Sequence, residues 1–139
     1  MTVAKLEKHI DKIEKSYEFF LAYAAQGTSG DQEPNSDLVS FLEATDVALE
    51  FLEKELHVVM ESLKPNSAFT AFADVVRRDA LKTRAAVGLV IVQPAISSQL
   101  IDNLNASIHF RALLTDLFLL DEAMKTSIKY GQSLETSSK

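Results

Sequence analysis

The chain has 139 residues, 47% hydrophobic and 24% charged, a balance that suits one globular domain with a full core and excludes a disordered chain. A net charge of −6 and a pI near 5.0 argue against a nucleic acid partner, because phosphate binding rests on clustered Lys and Arg. The absence of Cys excludes disulfides, thiolate metal sites and a Cys nucleophile.

Val3, Leu6, Ile10, Ile13, Tyr17, Phe20 and Ala24 recur at 3-4-3-4-3-4 spacing, which puts them on one side of an α-helix. This predicts a first helix over residues 3–26, with Thr2 able to cap its start and Gly27 able to end it in a left-handed conformation. The start of the chain is polar and mixed in charge, with no apolar core of the signal-peptide kind.

Residues 27–37 hold two of the four glycines and one of the three prolines, and read as a loop longer than a tight helical hairpin needs. A second helix is predicted over 37–64, capped by Ser36 or Asp37 and followed by Pro65. Leu38, Leu42, Thr45, Leu49, Leu52, Leu56, Val59 and Leu63 form its main stripe. Phe41, Ala44, Ala48, Phe51 and Val58 form a second, rotated by roughly 100°.

A third helix is predicted over 67–92, capped by Asn66 or Ser67. Its apolar face runs through Phe69, Phe72, Val76, Ala80, Thr83, Val87 and Val90. The stretch 85–92 is β-branched enough for a strand, but the chain offers no second strand to pair with it, so it reads as buried helix. It is also the longest apolar run, with 8 residues against the ~20 of a membrane span. Gly88 weakens this helix by about 1 kcal/mol relative to Ala and reads as a point of close packing.

Pro94 ends the third helix, and Ser97 or Ser98 starts a fourth that runs to about Tyr130. Ala106, Phe110, Leu113, Leu117, Leu120 and Met124 give it a 4-3-4-3-4 stripe, flanked by Leu114, Phe118 and Leu119. Leu100, Ile101, Leu104 and Ile108 are slightly out of phase with that stripe, which predicts a bend near Ala106. Gly131 ends the helix. The expected fold is an all-α, antiparallel (up-down) four-helix bundle, one domain over 1–131, with a flexible polar tail at 132–139.

Residues 1–65 carry 6 basic and 13 acidic groups, and residues 66–139 carry 8 and 7. The second helix is acidic and the third basic, so the two are expected side by side with exposed cross-helix pairs.

Catalytic patterns are scarce. No Glu has a His three residues later, and His-Glu-x-x-His is absent, so no di-iron or zinc motif is present and no metal or cofactor is expected. Gly-x-Ser-x-Gly and phosphate-binding glycine loops are absent. His9 has Lys12 three residues on, as in histidine phosphotransfer domains, but Ile13 stands where those have a small residue. One constellation remains. Asp102, Asn105, His109 and Asp116 lie near one line on the fourth helix, and Arg78 or Tyr17 could face His109 across a cavity. That is a candidate ligand or polar site for a small-molecule-binding bundle or small enzyme.

The leading expectation is a non-catalytic interaction or regulatory protein, cytoplasmic and without a membrane or nucleic acid partner. Its two-striped second helix and broad fourth helix suggest a homodimer, with another protein as the other partner to consider. Phe41, Phe51, Leu114 and Phe118 are the candidate interface.

Overall fold

The computed structural model describes residues 3–30, 35–62 and 67–130. These form five helices and no strand: α1 (Val3–Ala25), α2 (Ser36–Ser62), α3 (Ser67–Ile91), α4 (Ser98–Ala106) and α5 (Ile108–Lys129). The expected caps Thr2 and Asn66, the stripe residue Leu63, the stop at Gly131 and the tail at 132–139 lie outside the described residues. Residues 85–91 are helical, so the strand alternative is not taken.

α2 lies between α1 and α3, α5 packs chiefly on α3, and α4 chiefly on α1. Leu6, Ile13, Phe20, Leu42, Leu49, Leu56, Val76, Val87, Ile101, Phe110 and Leu117 are among the side chains of one continuous core. Helical hydroxyls also enter it. Ser16, Thr45 and Thr83 are fully enclosed, and each donates to the carbonyl four residues earlier, at 2.7, 2.7 and 2.8 Å.

The single fourth helix expected from the sequence is two helices. The bend expected near Ala106 is a break at Ser107, whose ψ of 128° is extended. Ser107 donates its amide to the Leu104 carbonyl, closing α4, and accepts from the Arg111 amide, opening α5. Asn103, Asn105 and Ser107 place three residues of low helix propensity around this point. The cap of α2 is Asn35 rather than Ser36 or Asp37, its Oδ1 accepting from the Leu38 amide at 3.0 Å. Ser97 caps α4 as expected, accepting from the Leu100 amide.

Past α1 the chain turns through two left-handed glycines, Gly27 (φ +72°) and Gly30 (φ +80°). At Gly30 the backbone passes so close to Ile96 that a Cβ would sit 2.6 Å from its carbonyl carbon. Gly88, expected to mark close packing, instead faces open space, with no atom within 4 Å of a built Cβ. Three alanine substitutions should therefore separate in urea denaturation. Gly30→Ala loses well over 1 kcal/mol through strain and collision, and Gly27→Ala loses about 1 kcal/mol through strain alone. Gly88→Ala gains about 0.5–1 kcal/mol, as for a helix-interior glycine with room beside it.

Candidate functional site

The five residues of the candidate polar site do not converge. His109 and Asp102 are exposed, on different helices separated by the Ser107 break. Asn105, expected on their line, is instead 5% exposed, with both amide atoms unpaired. Arg78 is exposed and pairs with Asp74 on its own helix at 3.2 Å. Tyr17 packs edge-on against Phe110, ring centroids 5.5 Å apart. Among the described residues no hydrogen bond or ion pair joins any two of the five. Nor, among them, do three His, Cys, Asp or Glu side chains gather as a metal site would require.

Asp116 does have a partner, which the sequence pattern missed. It meets Asp79 across the α3–α5 seam, and its Oδ2 is enclosed without a hydrogen-bond partner. Burial raises the Asp116 pKa to about 7, with the adjoining Asp79 carboxyl adding to the effect. This keeps a proton on Asp116 up to about neutrality. Asp79 falls three residues after buried Val76 and four before buried Thr83, so its inward position was readable once α3 was phased.

On the α2 side of α3, carboxylates meet a cation. Arg84 on α3 reaches Asp46 at 3.0 Å, Glu53 at 3.1 Å and Glu50 at 3.3 Å on α2, and its hydrogen bond to Asp46 leads in raising its pKa. The acidic and basic helices thus meet as expected. Arg77 and Arg78 both pair with Asp74, so these three arginines of α3 are spoken for within the chain.

Two concave regions stand out. A cavity of about 420 Å³ lies where the end of α1, the start of α2 and the turn after α3 meet. Its walls include Tyr23, Asn35, Leu38, Ile91, Gln93 and Ile96, and among the described residues no lining side chain is charged. The Tyr23 hydroxyl there already donates to the Ile96 carbonyl at 2.7 Å, and burial raises its pKa. A shallower groove of about 130 Å³ runs between α3 and α5, lined by Ala68, Phe69, Phe72, Leu119, Leu120 and Ala123.

The four candidate interface residues divide. Phe51 is 8% exposed and Leu114 6%, so the chain's own core takes them up. Phe41 is partly buried. The reason is that α2 has neighbours on two sides, and its second stripe turns toward α1. Phe51 stacks on His9 at 4.1 Å between centroids, and Phe41 on Phe19 at 4.4 Å. Phe118, in contrast, is 55% exposed, next to Leu119 at 60%, with Ile108 and Ile128 also exposed on α5.

No protein-family model matches this chain, and neither a curated protein nor a solved structure matches it. Among the described residues no helix is long and apolar enough to cross a membrane.

The carboxyl pair carries a pH signature. The unfolded Asp116 titrates near 3.9, the folded one at about 7. Between these values the folded state holds a proton the unfolded state has lost. The contribution of the pair therefore falls as pH rises from 4 to 7 and is flat beyond. His9, whose pKa is lowered by burial and then by Lys5, works in the opposite direction. The comparison with Asp116→Asn isolates the pair. The variant should match the wild type near pH 4 and exceed it at pH 8 by on the order of 1 kcal/mol after solvent screening. Parallel stability curves for the two proteins would show that the carboxyls titrate independently.

Proposed function

We propose that this chain is a non-catalytic interaction protein that self-associates, built as an up-down bundle in which α4 and α5 share the fourth position. The observation that carries this reading is the outward face of α5, which leaves Phe118 and Leu119 in water beside an apolar groove shared with α3. Burying a Phe or Leu side chain contributes about 1.5–3 kcal/mol, so covering this face with a second copy recovers stabilisation that the single chain forgoes. The scatter of His109, Asp102, Asp116, Arg78 and Tyr17 supports a non-catalytic role.

A second reading, a small-molecule-binding bundle, is favoured by the 420 Å³ cavity. Its volume suits a ligand, and the described part of its lining, which carries no charge, suits a neutral one with an apolar body. On this reading the ligand sits near Tyr23 and Gln93 rather than at His109.

Light scattering on the purified protein tests the first reading. A mass of about twice 15.4 kDa is expected. Phe118→Glu should give soluble monomers of unchanged helicity by circular dichroism. Phe51→Glu should instead unfold the chain, because it places a charge in the core. A wild type that stays monomeric at high micromolar concentration overturns the proposal.

A further inference from the structure

The outward face of α5 carries more than apolar side chains. Arg111, Thr115, Phe118 and Glu122 follow one another at 4-3-4 spacing, all exposed, in a line along the middle of the face. Arg111 and Glu122 stand at the two ends of this line, three turns or about 16 Å apart. Neither belongs to an ion pair among the described residues. The other cations of the helix are engaged, Lys125 with Asp121 at 2.8 Å and Lys129 over the Tyr130 ring. One positive and one negative end, with an aromatic ring and a small residue between them, make a surface complementary to itself when turned end for end.

Resting on the self-association proposed above, we infer that α5 packs antiparallel against α5 of a second copy, about a two-fold axis passing between Thr115 and Phe118. In that register Arg111 faces Glu122 of the partner subunit, and Glu122 faces the partner's Arg111. Phe118 lies over the partner's Thr115, which leaves room for the ring. The two Phe118 rings sit about 4.5 Å apart along the axis, offset side by side at the centre of the contact. Leu119, on the α3 side of the line, borders the contact.

Other registers lack these pairings. Parallel packing sets Arg111 against Arg111 and Glu122 against Glu122. Antiparallel packing centred on Phe118 sets Arg111 against the partner's Lys125. Sliding three residues the other way sets Arg111 against Leu119 and Glu122 against Ile108, leaving both charges unmatched against apolar side chains. Charge thus selects one register from several that would bury Phe118.

Charge reversal tests this, with dimer dissociation followed by sedimentation or dilution light scattering. Both positions are exposed, so each variant should keep the wild-type circular dichroism spectrum. Arg111→Glu sets two carboxylates against each other twice over, and Glu122→Arg does the same with two guanidiniums. Each should raise the dimer Kd by roughly tenfold, an effect that shrinks at high salt. The double variant Arg111→Glu/Glu122→Arg restores both pairs with their signs exchanged, and its Kd should return to within about threefold of the wild type. Dissociation by Phe118→Glu with no response to either single reversal overturns the register and leaves self-association standing. Single reversals that weaken the dimer without rescue in the double variant also overturn the register. A dimer indifferent to Phe118→Glu places the interface elsewhere and overturns the inference. A monomeric wild type removes both this inference and the reading it rests on.

Discussion

Ser98 ties three segments together with three hydrogen bonds. Its hydroxyl donates to the Tyr23 carbonyl at 2.7 Å and accepts from the Thr28 amide at 3.0 Å, while its amide donates to the Thr28 carbonyl at 2.9 Å. The end of a helix leaves carbonyls without their usual amide four residues on, and that of Tyr23 takes the Ser98 hydroxyl beside the Gln26 amide. The Tyr23 hydroxyl closes the same ring of contacts on Ile96. The approach is tight enough that only glycine fits at position 30. With its first residue held on the end of α1, α4 runs along α1, and the break at Ser107 then delivers α5 to α3. The position of every α5 side chain, Asp116 and Phe118 included, follows from that clamp and that break.

The helices were legible because the periodic apolar stripes act over many residues and need no knowledge of partners. Leu38, Leu42, Leu49, Leu52, Leu56 and Val59 are buried as their spacing requires, and so are Phe110, Leu113, Leu117, Leu120 and Met124. The break at Ser107 was visible only as a phase slip, since a continuous helix with a bend and two abutting helices give the same spacing. The fate of the second α2 stripe was not legible. A stripe records that a surface is apolar, and whether α1 or another molecule covers it depends on where α1 lies. The line through Asp102, His109 and Asp116 was interrupted for another reason. A helical wheel assumes one unbroken helix, and the break at Ser107 leaves Asp102 on α4 and the other two on α5. The Asp79–Asp116 pair joins positions 37 residues apart, and no local pattern couples them.

Charge is handled in two contrasting ways on the flanks of α3. Toward α2, one guanidinium gathers three carboxylates at the edge of the core, where each remains partly hydrated, so the cluster fastens the two helices without a large desolvation cost. Toward α5, two carboxyls meet with no ion-pair partner among the described residues, and the raised pKa of Asp116 keeps that side chain protonated up to about neutrality. The cohesion of the α3–α5 seam therefore changes with pH in that range.

The same seam borders the exposed face of α5, and the comparison with α2 explains why that face is left over. Both helices have apolar side chains too widely spread for one neighbour. α2 is flanked by α1 and α3, and Phe51 and Phe41 find aromatic partners on α1. α5 leans mainly on α3 and touches α1 only lightly, through Phe110 against Tyr17 and Phe20 and through Asp121 and Lys125 near Glu14. α4, which is joined to α5 at Ser107, lies along α1 and packs only lightly on α5. Extending α4 and α5 into one straight helix would alter which residues point outward, so the break at Ser107 both completes the core and determines the composition of the uncovered face. A face so determined is not a random sample of surface. It holds an exposed Phe and Leu in a chain whose other aromatic residues on α1, α2 and α3 are at least partly buried, and it carries at its two ends charges of opposite sign that form no ion pair among the described residues. A two-fold contact asks for an apolar centre and ends of opposite charge, and the fold presents both on the outer side of α5.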